Sequence, residues 1–486
     1  MGEKLLLAFL GAGAFFWALQ RWQKATQLAM VVLILEGALR KWVFPGSQQL
    51  IYFAKDLLLL GCYAGFLRDQ GARRYRIAVS PALLSLLTLA AAWGGFEIFN
   101  PQLPNVLVGI LGFKAYFFYV PLTFLLPACF ENDQQLNSFL RRYCLIAIPV
   151  ACLGLAQFAS SPGSRINAYA TGGGDEASII TFGSSEHVRV TGTFAFITGY
   201  TSYLLANVTL LLAVLGASRW HFLANRKLYL ALGMSFLGML MTGSRGPLFT
   251  LALIFPFYWY LAVMRERDAG LTVSRAGLVL GLVGAGIALF GGQALGAFLG
   301  RAAGSSDLPE RIMSPLRSPF LLLPEAGVLG YGIGASHQMA AAVAPSIIPY
   351  AWLHGLNTEV ESGKVMLELG FIGFLLIYLV RLLLIGLSFQ YAISLHTRFH
   401  RALATGAFLY FMAELFGAPI FDVTCAVYYW FFAGLMMLAA RLDRDLRLAV
   451  APSRLARPRR GHPLPRARPA VEPALSRWRS QPSPRS

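Results

Sequence analysis

Long apolar runs recur along almost the whole chain, and this feature constrains the fold more than any other. A membrane-spanning helix needs about 20 mainly apolar residues. Only 13% of the 486 residues are charged and 56% are hydrophobic, whereas a soluble domain has about 25% charged residues. The sequence therefore predicts an all-α fold, a polytopic bundle of transmembrane helices over residues 1–440. Candidate spans are 5–19, 26–44, 50–67, 78–98, 106–129, 143–160, 193–217, 228–243, 247–264, 276–299, 365–388, 402–418 and 424–440.

These runs predict 13 spans, or 12 if the short first run does not cross the membrane. Short connections rich in Lys and Arg occur at every second connection between spans, so all of them can lie on one side of the membrane, and such loops face the cytoplasm. The tail, residues 441–486, is rich in Arg and Pro and is predicted to be disordered and cytoplasmic. Its charge favours contact with anionic lipid over nucleic acid. The basic connections are 68–76, 131–142, 219–227, 265–275 and 396–401.

The opposite, non-cytoplasmic side receives two long segments rich in Gly, Ser and Pro, residues 161–192 and 300–364. Both are longer than an ordinary connection, which is typical of functional loops or of disorder. The apolar stretch Met339–Trp352 within the second loop is predicted to lie along the membrane surface.

Several charged residues lie inside the candidate spans, where an isolated charge is costly. Glu36 and Arg40 are one helical turn apart, and Lys55 and Asp56 follow in the next span. These four residues are predicted to form one interhelical cluster, with a structural ion-pair role, a substrate contact and placement at the interface all left open. Lys114 stands alone in the fifth candidate span and is predicted to face a hydrated cavity.

Two arginines are predicted at the starts of helices on the non-cytoplasmic side. Arg189 begins the segment RVTGTF, and Arg245 lies in the tight turn TGSRGP. Guanidinium groups bind phosphate through paired, charge-assisted hydrogen bonds, and helix N-termini favour anions. The two residues would suit a diphosphate at the bilayer surface, while contact with lipid headgroups is the simpler alternative.

The candidate acid–base residues are three histidines of the non-cytoplasmic loops and three carboxylates near the start of the span 365–388. Histidine is the commonest general base, and carboxylates near a helix start are the next candidates. Lys364 has carboxylates three residues before it and four residues after it, so a surface ladder of ion pairs is the alternative reading. The candidates are His187, His337, His354, Glu359, Glu361 and Glu368.

No motif for a bound cofactor or metal is present: there is no zinc-ligand spacing, Walker loop, EF-hand or GxSxG sequence. The five cysteines lie in or beside apolar runs and are predicted to be simple packing residues. We therefore expect no cofactor and no metal site.

Taken together, the motifs resemble those of the O-antigen ligase/polymerase superfamily. The resemblance is carried by the TGSRG turn, by RxxGxF from Arg189, and by ELGxxG from Glu368 after a long loop. The segments EGALRKWVFP from Glu36, GFKAYFFYVPL from Gly112 and LGYGIGA from Leu329 resemble its exopolysaccharide-associated branch. The resemblance covers roughly residues 26–440.

The resemblance implies a multi-pass glycosyltransferase of the bacterial inner membrane, with both long loops in the periplasm. Such enzymes use a glycan linked to undecaprenyl diphosphate, and their other partners are membrane lipids and polysaccharide assembly proteins. By position, Arg189 and Arg245 would contact the diphosphate, with Lys364 as a further contact. The family often has a histidine nine residues before the Glu of ELGxxG, where this chain has Glu359. Glu359 or His354 would then be the base.

Four functions remain open at this point. A polymerase, which joins lipid-linked saccharide repeats into exopolysaccharide or O-antigen, is the first. A ligase differs only in the acceptor, a lipid instead of another repeat. A transporter or flippase is a third, against which the concentration of long loops on one side argues. A non-catalytic subunit of a polysaccharide export machine is the fourth, favoured by the missing motif histidine.

Overall fold

The computed structural model describes residues 2–69, 79–170, 179–182, 187–217, 222–263, 308–337 and 360–455, with the single positions 281, 292 and 296. Within these residues the regular structure is helical, apart from one isolated antiparallel bridge between Thr181 and Val188. The predicted all-α fold is confirmed. The helices are α1 (Gly2–Gln20), α2 (Trp22–Ala38), α3 (Gln48–Arg68), α4 (Pro81–Glu97), α5 (Val106–Phe117), α6 (Leu122–Leu125), α7 (Asp133–Leu145), α8 (Ala147–Ala159), α9 (Ile197–Ala217), α10 (Phe222–Met241), α11 (Arg245–Val263), α12 (Leu308–Ala326), α13 (Glu361–Ser394), α14 (Arg398–Ala413) and α15 (Val423–Leu455).

In the described part of the chain, six helical stretches are long and apolar enough to cross a membrane, and two apolar helices are shorter. The protein is therefore a multi-pass membrane protein. The predicted span 276–299 lies almost entirely outside the described residues. The six long stretches are Pro45–Arg68, Val106–Ala128, Asp133–Ala159, Ile197–Ala217, Glu361–Ser394 and Val423–Ala449, and the two shorter helices are Leu5–Gln20 and Pro81–Glu97.

Contacts between helix ends bring the described parts of three predicted basic connections together at one end of the bundle. The Trp22 indole donates to Asp69 at 2.9 Å, which joins the start of α2 to the end of α3. The His400 ring lies 2.8 Å from Asp133, which joins α14 to α7. Gln23 Nε2 donates to Ala128 O at 3.1 Å, which joins the two pairs. Asp69 and the connections 131–142 and 396–401 therefore share one end, as the alternation of charge predicts.

Three segments predicted as loops or as disordered are helical. Residues 131–142 fall mostly in α7, because a stripe of apolar residues, including Leu136 and Leu140, is buried. The long loop 300–364 contains α12, which packs Leu322 and Ala326 against α13 despite three internal prolines. The predicted disordered tail begins as part of α15, because Asp443 is buried and accepts the backbone N–H of His396 at 2.9 Å.

The chain forms two compact units, Met1–Arg444 and Asp445–Ser486. The first contains the packed helices described above. Of the second, the described part is the end of α15, as far as Leu455.

Regular α-helical structure is interrupted in three places: after α2, after α5 and within α13. After α2 the chain continues as a π-helical turn, Leu39–Val43. A turn at 118–121 separates α5 from α6. Within α13, Gly370 has a φ of 63°, which a residue with a side chain adopts only with strain. Non-helical backbone at membrane depth is tolerated where it is buried in protein or lines a water-filled cavity.

Candidate functional site

The turn that leads into α11 is held by Arg189, a contact that the sequence did not predict. Arg189 Nε donates to the carbonyl oxygen of Thr242 at 2.7 Å, and Nη2 donates to Ser244 Oγ at 3.1 Å. The backbone N–H of Val190 donates to Met241 O at 3.1 Å. The fold thus brings two arginines 56 positions apart in sequence to the N-terminus of one helix, because Arg245 is the first residue of α11.

The π-helical turn after α2 packs against the loop that precedes α9, which also carries Arg189. Lys41 Nζ donates to Gly192 O at 2.7 Å and to Thr191 Oγ1 at 3.0 Å. Arg40 Nη2 donates to Ala170 O at 3.3 Å. Both side chains are buried. The extra residue of the π turn lets Arg40 and Lys41, which are adjacent in sequence, contact different parts of the loop.

The predicted cluster of charges between α2 and α3 is confirmed. Lys55 Nζ lies 2.9 Å from Glu36 Oε2 and 3.9 Å from Asp56 Oδ1. Arg40 Nη1 lies 3.5 Å from Glu36 Oε1. All four side chains are no more than 10% exposed, so the pairs have little competition from water.

Lys114, the one charged residue of its candidate span, also belongs to this cluster, which the sequence did not predict. Its Nζ lies 2.6 Å from Asp56 Oδ2, and Tyr119 donates its hydroxyl to Asp56 Oδ1 at 2.7 Å. The Lys114 side chain is 22% exposed, against 2% for Lys55. Lys114 is therefore the member of the cluster that solvent reaches most.

Together these contacts form a continuous charged ribbon, which we define as Arg189, Lys41, Arg40, Glu36, Lys55, Asp56 and Lys114. Neighbouring members touch directly or through the loop at 189–195. Sequence reasoning found the separate parts but not their continuity, since α5 and the 189–195 loop lie far from α2 in the chain. The ribbon carries more cations than anions, which suits an anionic ligand.

The start of α13 is fixed by a buried ion pair, not by a surface ladder. Glu361 Oε1 accepts from Arg381 Nη2, twenty residues along the same helix. Glu361 Oε2 accepts the backbone N–H groups of Ile420 and Phe421 at 2.9 and 3.2 Å. Both charged side chains are almost fully buried, so the predicted ladder from Glu361 to Lys364 is incorrect.

Glu368 lies deeper along α13 and is fully buried. It accepts the Tyr116 hydroxyl at 2.9 Å, and its other oxygen accepts the backbone N–H and hydroxyl of Ser336 at 2.8 and 2.7 Å. These bonds join α13 to α5 and to the loop after α12. Lys364, predicted as a diphosphate contact, lies over the ring of Phe421, with its Nζ 5.1 Å from the centroid. The Glu368 carboxylate, its predicted ion-pair partner, is bound by Tyr116 and Ser336 instead.

Two of the histidine candidates lie in the described part of the chain. Burial, with a smaller effect from Lys114 and Lys364, lowers the pKa of His337 from 6.5 to about 4. His337 is therefore uncharged at neutral pH. The His187 ring stacks on Phe158 at a centroid distance of 4.5 Å, which indicates a packing role. His354 and Glu359, the predicted bases, lie outside the described residues.

The site depends on a close approach between α5 and the loop after α12. A Cβ atom on Gly112 would lie 2.4 Å from the backbone nitrogen of Gly334. We expect Gly112→Ala to lower stability by about 1–3 kcal/mol, because the backbones must separate. Gly95→Ala is the matched control, since a Cβ there meets nothing within 4 Å. Thermal unfolding in detergent measures both, and equal melting temperatures would contradict the close approach.

In the part of the chain that the structure describes, no three His, Cys, Asp or Glu residues are grouped to hold a metal ion. Comparison with protein-family models, with curated proteins and with solved structures finds no match to this chain. The functional interpretation therefore rests on the residues and their geometry.

Proposed function

We propose that this protein is a membrane glycosyltransferase that joins undecaprenyl-diphosphate-linked saccharide repeats into exopolysaccharide or O-antigen. The observation that carries the proposal is the junction of Arg189 with the turn before Arg245, at the N-terminus of α11. A helix N-terminus with two arginines is an arrangement suited to a diphosphate. The motif resemblance supports the same substrate class and predicts a periplasmic site in the bacterial inner membrane.

In the proposed reaction an acceptor hydroxyl attacks the anomeric carbon of the donor sugar. The new glycosidic C–O bond forms as the bond from that carbon to the diphosphate oxygen breaks. Glu359 or His354 takes the hydroxyl proton, and undecaprenyl diphosphate leaves with the bonding electrons. Arg245 and Arg189 stabilise the negative charge that develops on the leaving oxygen. No nucleotide is consumed.

Transport of the lipid-linked glycan is a second candidate, and the interrupted helices favour it. Transporters place charged sites beside discontinuous helices, and the π turn after α2 and the break after α5 both adjoin the charged ribbon. The two functions differ in product: a transporter moves its substrate unchanged, whereas a transferase lengthens it. A ligase would give a product only when a separate lipid acceptor is present.

The test uses the full chain in lipid nanodiscs with an undecaprenyl-diphosphate-linked repeat as the substrate. A polymerase releases undecaprenyl diphosphate and produces a ladder of longer glycans on a gel. A ligase gives product only after a lipid acceptor is added. Absence of any lengthened product under both conditions, with substrate movement in vesicles, would instead establish transport.

Glu359→Gln and His354→Ala, made separately, are expected to identify the general base. The true base should lose about 10²–10⁴-fold in rate when it is removed, while the other variant keeps most of its activity. Released undecaprenyl diphosphate measures the rate. Full activity in both variants would show that neither residue is the base. No activity in the unmodified protein would favour the non-catalytic subunit.

A further inference from the structure

Gln157 is a buried amide near the end of α8, and it joins the two ends of the long loop 161–192. Its Oε1 accepts the backbone N–H groups of Thr191 and Gly192 at 3.2 and 2.8 Å. Its Nε2 donates to the carbonyl oxygens of Ile166 and Gly192 at 3.0 and 3.2 Å. Both hydrogens of the amide group and both lone pairs of its oxygen therefore have partners in one loop.

Two other contacts join the same two parts of the loop. Tyr169 donates its hydroxyl to the carbonyl oxygen of Arg189 at 2.9 Å. The backbone N–H of Ala170 donates to Ala195 O at 2.9 Å. The long loop is therefore closed at its base by hydrogen bonds, and Arg189 lies on one side of this closure.

The segment from Arg189 to Gly192 is fixed at both of its ends. At one end, the Arg189 side chain binds the turn before α11. At the other end, Gly192 O accepts from Lys41 Nζ at 2.7 Å as well as from Gln157. Gly192 has a φ of 53°, which favours glycine, and a Cβ atom there would lie 3.1 Å from two neighbouring side chains. The segment therefore has little room to move while Gln157 is in place.

We propose that Gln157 is a positioning residue, which fixes Gly192 and thereby holds the Arg189 guanidinium where it binds the diphosphate of the substrate. This inference rests on the proposed function. The hydrogen-bonding groups of Gln157 are all used within the loop, so it acts through Arg189 and not on the substrate. A guanidinium binds phosphate through two parallel hydrogen bonds, which requires a defined orientation. A misplacement of about 1 Å can cost about 10²-fold in rate.

The experiment uses the full chain in nanodiscs and measures the affinity for inorganic diphosphate and the rate of undecaprenyl diphosphate release. Gln157→Met keeps the length of the side chain but loses all four hydrogen bonds. We expect the rate to fall about 10–10²-fold and the affinity about tenfold. Asn207→Leu is the matched control, because it removes another fully buried amide, which donates to Ser235 Oγ at 3.1 Å between α9 and α10. It should leave both quantities unchanged.

A double variant separates positioning from a general loss of stability. If Gln157 acts through Arg189, then adding Gln157→Met to Arg189→Ala should cause no further loss of affinity or rate. A further loss as large as that of Gln157→Met alone would show an effect independent of Arg189 and would overturn the inference. Unchanged affinity and rate in Gln157→Met would overturn it too, even in an active polymerase.

Failure of the proposed function gives a different result. If the unmodified protein binds diphosphate but releases no undecaprenyl diphosphate, the polymerase proposal fails, and the diphosphate affinities decide the inference. Absence of diphosphate binding by the unmodified protein would overturn the inference as well.

Tyr169→Phe is a milder second variant for the case that Gln157→Met does not fold. It removes only the hydroxyl that donates to Arg189 O. The diphosphate affinity should fall about two- to tenfold, the effect of one hydrogen bond, and it should not fall when Arg189→Ala is already present. An unchanged affinity in Tyr169→Phe alone would then count against positioning of Arg189 by the closed loop and would overturn the inference.

Discussion

Arg245→Ala is expected to abolish polymer formation while the protein remains folded in the membrane. The residue opens α11 beside Arg189, where it would stabilise the charge that develops on the departing diphosphate. Removing one such donor typically costs about 10²–10³-fold in rate. Release of undecaprenyl diphosphate in nanodiscs gives the rate, and the gel ladder gives the polymer length.

Two further variants make this test specific. Arg245→Lys keeps the charge but loses the paired hydrogen bonds of a guanidinium, so its rate should fall between those of Arg245→Ala and the unmodified protein. Arg142→Ala removes an exposed arginine from α7, next to the basic connections, and should leave the rate unchanged. Unaltered polymer length and yield in Arg245→Ala would refute the diphosphate role.

Breaking the buried pair of Glu361 and Arg381 is expected to have the largest effect on stability. Removal of one partner leaves an uncompensated charge away from water, which costs about 3–5 kcal/mol. Arg381 also donates to Leu415 O at 2.9 Å, and Glu361 accepts two backbone N–H groups at 420–421. Glu361→Gln or Arg381→Met should therefore lower the melting temperature in detergent and loosen the turn between α14 and α15.

The double variant shows whether charge is the cause. Glu361→Gln with Arg381→Met removes both charges but keeps an oxygen to accept the two N–H groups, so it should recover much of the lost stability. Arg68→Met is the control for an exposed pair, since Arg68 is 51% exposed beside Asp69. Such pairs contribute about 0–1 kcal/mol. A double variant less stable than either single variant would contradict the argument.

The sequence predicted the helices well where apolar content alone decides them. It failed where packing overrides local signals, as in α12, whose prolines at 315, 319 and 324 resemble a loop. That helix persists because Leu322 and Ala326 cover Met366 and Leu367. Local spacing also failed for Lys364. Its position three residues after Glu361 predicts a surface ion pair, but Glu361 pairs with Arg381.

The sequence by itself determined the membrane class and the positions of the most apolar helices. These follow from hydropathy and charge, which are properties of single segments. The sequence also identified Arg189 and Arg245 as candidate diphosphate contacts, because both are arginines at predicted helix starts. Only the tertiary structure decided that Arg189 braces the turn before Arg245, and that Lys114 completes a ribbon begun by Glu36. Such contacts join segments far apart in the chain, and helix packing, which no local pattern encodes, sets their distances.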